Sequence, residues 1–234
     1  MTDITAADLE RLTEWDTPTI CNGLEVTNPE RRALGFTTGV MFCAFPELKP
    51  ICGYARTATI RAMVAPKRTG AENVASRQAY YEYVAKGGPA PSISVIQDLD
   101  SEPGFGAFWG EVNTSIHKGL GALGVITDGS IRDLDASAPG FQLLARKVGP
   151  SHAHVHVVDH GGQVNIFGMV VNDGDIVHAD RHGAVVIPPE AVKKLPEAID
   201  LLTRREAVIL DAARAPDFSF DKLKAAMGQS ADIH

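Results

Sequence analysis

The stretch from Ser92 to Thr127 constrains the fold most, because it reads as strand, loop, helix and strand in that order. Ser92 to Gln97 carries a short strand signal that runs through Asp98-Leu99-Asp100 into the glycine-rich loop Pro103-Gly104-Phe105-Gly106. Val112, Ile116, Leu120 and Leu123 then recur at helical spacing, and Leu123 to Thr127 is a compact apolar run closed by the turn dipeptide Asp128-Gly129. This is a β-α-β unit, and it places the chain in the α/β class.

The flanks fit around it. Thr17-Pro18 reads as an N-cap followed by proline at the first helical position, with Ile20 and Leu24 on one face of a short helix ending near Asn28-Pro29-Glu30. Cys52 to Arg61 alternates with the period of a half-buried strand, and Ala71 to Lys86 fits a helix on Val74, Tyr81 and Val84, closed by Gly87-Gly88-Pro89. Beyond residue 140 the chain reads as strands at 141–145, 153–158, 164–171 and 184–187, punctuated by Gly161-Gly162, Asp173-Gly174 and His182-Gly183. A β-rich layer packed against the helical part is therefore expected. Glu190 to Ala213 is helical in pattern with Pro196 dividing it, and Phe218 to Met227 forms a last short helix. One domain of 234 residues without internal repeats accommodates all of this.

Charge narrows the partners. The formal net charge is −7 and no run of Lys or Arg occurs, so the basic footprint of a nucleic-acid or anionic-membrane binder is missing. No apolar window reaches the length of a membrane span, and Met1 to Thr5 has neither a basic flank nor an apolar stretch, so a cytoplasmic location is expected. Cys21, Cys43 and Cys52 are few and odd in number, which favours reduced, mostly buried thiols over redox chemistry.

Between Gly110 and Asp133 the residues suggest chemistry. Gly110 permits close backbone approach, and the amides of Val112 and Asn113 lie in a first helical turn, where they lack intrahelical acceptors and can hold a carboxylate. Arg132 follows a strand and a tight turn that can return the chain to that helix start, and its planar fork suits the same carboxylate. Asp133 offers a hard oxygen for a cation such as Mg²⁺. The bland reading is a turn followed by a surface ion pair, with Glu111 simply answering the helix dipole.

These blocks, Gly110-Glu111-Val112-Asn113 and Gly124 to Asp133, with Gly174 to Asp180 and Gly183 to Pro188, resemble the RraA-like family. That family includes divalent-metal-dependent 4-hydroxy-4-methyl-2-oxoglutarate and 4-carboxy-4-hydroxy-2-oxoadipate aldolases. The likeness runs from about Asp16 to Pro188 and is dense from Gly110 onward. It implies a swivelling β/β/α domain with N- and C-terminal helices, its core at about 16–188 and a helical extension at about 189–234. It also implies a trimer, or a hexamer built as a dimer of trimers, with active sites in clefts between subunits.

By the same resemblance Gly110, Glu111, Val112 and Asn113 line the site for a pyruvate moiety, and Arg132 binds its carboxylate. Asp133 ligates Mg²⁺, Mn²⁺ or another divalent cation, and Glu111 matches an acidic position near the metal waters, where it would relay the C4 hydroxyl proton. Aldolases of the family draw a Glu from a neighbouring subunit's C-terminal region, for which Glu206 is the candidate here. The implied activity is class II cleavage of a 4-hydroxy-2-oxo acid with release of pyruvate, and oxaloacetate decarboxylation as a side activity. Lys118 falls off the apolar stripe of its helix, which argues against a Schiff base.

Departures from the family pattern, Glu-Val-Asn after Gly110 and the bulky Phe105, Phe108 and Trp109, bear on the second half of the substrate. Some family members are instead protein-binding inhibitors of ribonuclease E, and the presence of both Arg132 and Asp133 weighs toward a lyase. A methyltransferase reading lacks a glycine-rich nucleotide loop after a first strand. His152, His154 and His156 fall on one face of an expected strand, a spacing open to zinc or to a solvated or subunit-facing edge. Tyr80, Tyr81 and Trp109 read as core or pocket wall.

Overall fold

The computed structural model describes residues 4–234; Met1 to Asp3, part of the N-terminal stretch read above, lie outside the described residues. Along the chain the elements are α1 (Ala6–Leu12), α2 (Thr17–Thr27), β1 (Phe42–Cys43), β2 (Ile51–Arg61), α3 (Gly70–Lys86), β3 (Ser92–Asp98), β4 (Ala107–Trp109) and α4 (Glu111–Gly119). There follow β5 (Ala122–Thr127), β6 (Ser130–Ile131), β7 (Gln142–Ala145), β8 (Lys147–Val148), β9 (His156–His160), β10 (Val164–Ile166), β11 (Met169–Val171), β12 (Ile176–Asp180), β13 (Gly183–Ile187), α5 (Leu195–Arg214) and α6 (Phe220–Ala231).

The expected β-α-β unit is present: β3 and β5 pair in parallel, and α4 crosses between them. They sit in a mixed sheet of order β1-β7-β5-β3-β2-β12-β13. β2 is its hinge strand. One edge of β2 pairs with β3, while the other takes β12 at residues 51–54 and β9 at residues 58–61, both antiparallel. With neighbours on both edges and cover on both faces, β2 is buried almost throughout rather than on alternate residues. The strands after residue 140 do not form a separate layer. β7, β9, β12 and β13 join the main sheet, β8 completes a small parallel sheet of order β4-β6-β8, and 164–171 is a hairpin of two strands turned at Phe167-Gly168, both with positive φ.

Three apolar clusters hold the layers. On one sheet face Ile60, Ile96 and Val125 meet Tyr80 and Val84 of α3, with Phe108, Trp109 and Phe141. On the other, Ile93, Val95 and Ile126 meet Val164, Ile166, Met169 and Val171 of the hairpin. α1, α2 and the first turn of α5 pack Leu9, Leu12, Ile20, Leu24, Leu195 and Ile199 on Ile176, Val185 and Ile187. Each side chain of this size contributes about 1.5–3 kcal/mol by leaving water.

Local signals held with small shifts. Asp16, not Thr17, caps α2, its side chain accepting from Thr19 N–H at 2.9 Å. Thr69 and Glu72 form a capping box at the start of α3, and Gly87 is its C-cap. Pro196 does not divide a helix; it lies in the first turn of α5, which starts at Leu195. Cys52 is buried, Cys21 and Cys43 half-buried, all unpaired, and burial raises the Cys21 thiol to about 11 and the Cys52 thiol to about 12. Among the described residues no helix is long and apolar enough to cross a membrane.

Candidate functional site

Trp109 is fully buried and stacks on Phe141 with ring centroids 5.7 Å apart, so the end of β4 is a fixed point of the core. β6 pairs with β4 in parallel, and Arg132 N–H donates to the Trp109 carbonyl at 2.9 Å. Gly110, the N-cap of α4, therefore emerges beside Arg132 and Asp133. The fit is close. A Cβ at Gly110 would lie 2.5 Å from Asp133 Oδ2 and 3.2 Å from Arg132 Cγ. Gly110 is extended, with φ −167°, so a side chain there is disfavoured by proximity and not by backbone conformation.

Asp133 adopts the left-handed region, with φ 54° and ψ 45°, a conformation that aspartate tolerates better than most residues. Its carbonyl is pinned by Ala136 N–H at 3.1 Å and by the Ser137 hydroxyl at 2.9 Å. The carboxylate is thereby aimed at the start of α4, where Glu111 N–H approaches Oδ2 at 3.4 Å and Arg132 Nε at 3.6 Å. Both side chains are about one-third exposed, so as an ion pair they add little stability.

The N-cap glycine has no side chain to cap α4, and the N–H groups of Val112 and Asn113 have no acceptor within the helix. The first turn is held from behind. The Asn113 side chain donates to the Phe108 carbonyl at 2.5 Å and accepts from the Tyr81 hydroxyl at 2.7 Å. His117 Nδ1 lies 2.6 Å from the Asn113 carbonyl, which can only accept, so Nε2 accepts a hydrogen bond from the Tyr80 hydroxyl at 2.9 Å. Burial keeps this imidazole neutral, lowering its pKa to about 4. The buried Thr114 hydroxyl bonds the Gly110 carbonyl at 2.9 Å and accepts from Ala138 N–H at 3.0 Å, tying the loop after Asp133 to α4.

These groups open into a cavity of about 430 Å³. Gly110, Val112, Asn113, Arg132 and Asp133 all line it; Glu111 is exposed and does not. The cavity is also lined by Arg68 before α3, by Asn73, Arg77 and Tyr81 on α3, and by residues 152–157. Of these, sequence reasoning had placed Tyr81 at a core or pocket wall and the three histidines in a candidate cluster, but had given Arg68, Asn73 and Arg77 no role. Arg68 is fixed by Ser76 Oγ at 2.6 Å and by the Val157 and Val158 carbonyls at 3.1 and 3.0 Å. Three arginines against one carboxylate make the cavity basic in a chain of net charge −7. For the arginines the legible signal was the sparse apolar stripe of α3, which buries only Tyr80 and Val84.

The histidines do not share a strand face. Residues 152–155 form a turn, with Ala153 at φ 46° and Val155 N–H bonded to the His152 carbonyl, and β9 starts only at His156. Among the described residues no three His, Cys, Asp or Glu side chains converge as a metal cage. Phe108 and Trp109 are buried, and Phe105 alone of the bulky loop residues is exposed. Lys118 reaches the Pro139 carbonyl on the surface, and Glu206 is exposed on α5, outside the cavity.

A family model described as RraA-like, Aldolase/RraA, matches residues 8–186. An uncharacterised protein of Methanocaldococcus jannaschii is 34% identical over 96 residues, 40% of this chain; the match spans 45% of that relative's length. A crystal structure of an uncharacterised protein from Pseudomonas syringae pv. tomato aligns with TM-score 0.71 at 19% identity, covering 97% of this chain and 96% of that one. The structure of Streptomyces coelicolor RraAS2, described as an unusual member of the RNase ES inhibitor RraA family, aligns with TM-score 0.63 at 21% identity, covering 92% and 100%. At these identities the solved structures speak for the fold.

Proposed function

The chain belongs to the RraA-like family, and from that premise we propose that it is a divalent-metal-dependent lyase that cleaves a 4-hydroxy-2-oxo acid to release pyruvate. The observation that carries the reading is the close approach of Gly110 to Asp133, which sets a carboxylate where a Cβ would displace it, at a helix N-terminus in a basic cavity. A surface ion pair would not demand such proximity.

The residues fit a hard divalent cation. Asp133 is the one carboxylate of the cavity lining, and its Oδ1 accepts from no protein group among the described residues. A lone carboxylate completed by water and substrate oxygens suits Mg²⁺ or Mn²⁺ better than a zinc cage. When bound, such an ion supplies Lewis-acid stabilisation of charge on the oxo-acid oxygens. The protein's own groups do the rest. The Arg132 fork and the free amides of Val112 and Asn113 grip the carboxylate, and the Tyr81, Asn113 and Phe108 relay holds that turn rigid while charge develops. Arg68 and Arg77 make the remainder of the cavity receptive to anionic substrates. Oxaloacetate would yield the same enolate on loss of CO₂, so decarboxylation is a natural side activity. Self-association as a trimer or hexamer, with Glu206 of one copy near another's cavity, belongs to the same proposal.

The test is a screen of 4-hydroxy-2-oxo acids with Mg²⁺ or Mn²⁺, with pyruvate release as the readout. EDTA should abolish turnover, and Asp133→Asn, which keeps a residue tolerant of the left-handed region, should lower it by about 10²-fold or more. Turnover indifferent to chelation would refute metal dependence. The likeness to RraAS2 supports a second reading, a regulator that binds a ribonuclease. Stoichiometric binding to an RNase E-type enzyme, unchanged in Asp133→Asn and without pyruvate release, would favour it.

A further inference from the structure

Resting on the lyase reading, we propose that His156 is the general base that takes the C4 hydroxyl proton of the substrate. Cleavage of the C3–C4 bond needs that proton removed, and few groups in the cavity have a lone pair to give. Arginines 68, 77 and 132 have none. Tyr81 is committed to Asn113, Asp133 faces the start of α4 and the proposed cation, and Glu111 does not line the cavity. The imidazoles of the 152–156 segment remain.

His156 Nδ1 lies 2.8 Å from the His154 carbonyl, which can only accept, so Nδ1 carries the ring proton and the neutral imidazole keeps its lone pair on Nε2. No protein group among the described residues bonds that Nε2. The residue is half-buried at the first position of β9, where pairing with Arg61 fixes its backbone. His152 is set in the same tautomer by the Ala153 carbonyl at 2.7 Å but is exposed in the turn, and no hydrogen bond orients the His154 ring. In the step itself the C4 hydroxyl proton passes to Nε2 and C4 becomes the carbonyl of the second product. The C3–C4 electron pair stays on C3 as the pyruvate enolate, and the imidazolium returns its proton to C3, which leaves the base as it began.

Two assays read the base separately from binding: exchange of pyruvate methyl protons in D₂O with Mn²⁺, followed by NMR, and calorimetric titration with oxalate, an enolate mimic. His156→Asn keeps a donor for the His154 carbonyl but no basic nitrogen. It should lower exchange and pyruvate release by about 10²-fold or more while oxalate affinity holds within about threefold. The acid limb of the kcat/KM profile, read in a cavity shared with Arg68, Arg77, Arg132, Asp133, His152 and His154, should disappear. Added imidazole should restore part of the activity of His156→Ala. Wild-type exchange and an intact acid limb in His156→Asn would overturn the assignment, as would a larger loss in His152→Asn or oxalate affinity falling in step with rate. A wild-type protein with neither exchange nor pyruvate release under any divalent cation would overturn the lyase reading, and the base with it.

Discussion

Gly110→Ala separates the site from the fold. The new Cβ would stand 2.5 Å from Asp133 Oδ2, and ordinary contact begins at 3.4 Å, so the carboxylate must retreat by about 0.9 Å. The backbone raises no objection, because φ −167° suits any residue. The displaced atom ends a side chain that is one-third exposed, so the stability cost falls at the low end of overpacking, about 1 kcal/mol, or about 2–4 °C in Tm for a chain of this size. Function should suffer more, since Mg²⁺ demands near-octahedral oxygens and a misplacement of about 1 Å costs about 10²-fold in rate. The assay pairs Mn²⁺ affinity and pyruvate release with a melting curve. Gly119→Ala, where a Cβ meets nothing within 4 Å, serves as the control. If Gly110→Ala binds Mn²⁺ and turns over like the wild type, the close approach has no catalytic meaning.

Arg132→Lys keeps the charge and loses the planar fork, so kcat/KM should fall by about 10–100-fold, and an unchanged value would remove Arg132 from the substrate contact. Asp128 lies away from the cavity lining, with burial raising its pKa from 3.8 to about 6 and the Asp98 N–H held at 2.7 Å. Because the folded state holds that proton more tightly, the wild type loses stability as pH rises from about 4 through 6. Asp128→Asn, which keeps the acceptor oxygen, should therefore gain on the order of 1–3 kcal/mol at pH 7.5 and nothing near pH 4. Urea melts at both pH values check this, and parallel pH profiles of the two proteins would contradict it.

Much of the framework is local chemistry and was readable as such. The glycine C-cap of α3 and the turn at Asp128-Gly129 depend on neighbours a few residues apart, and the β-α-β unit shows as strand and helix periods within one continuous stretch. Elements with few residues or no period escaped. β4 is three residues inside a glycine-rich loop, β6 is two, and α1 and β12 were passed over. His152 to His156 alternates like a strand, yet long-range bonds from His154 N–H to the Ala62 carbonyl and from Ala107 N–H to the Ser151 carbonyl shape it as a turn.

The sequence by itself determined the strand-helix-strand order, the glycine end of α3 and the tight turn ahead of Arg132 and Asp133, because caps, turns and periods are specified by adjacent residues. Only the tertiary structure decided that Arg68, Arg77 and His156 line one cavity with Arg132 and Asp133, that Glu111 does not line it, and that a Cβ on Gly110 would meet Asp133 Oδ2 at 2.5 Å. Those placements follow from pairing β2 with β9 and β4 with β6, contacts between segments tens of residues apart. Their energy comes from shared burial rather than from any local preference, so no local pattern records it.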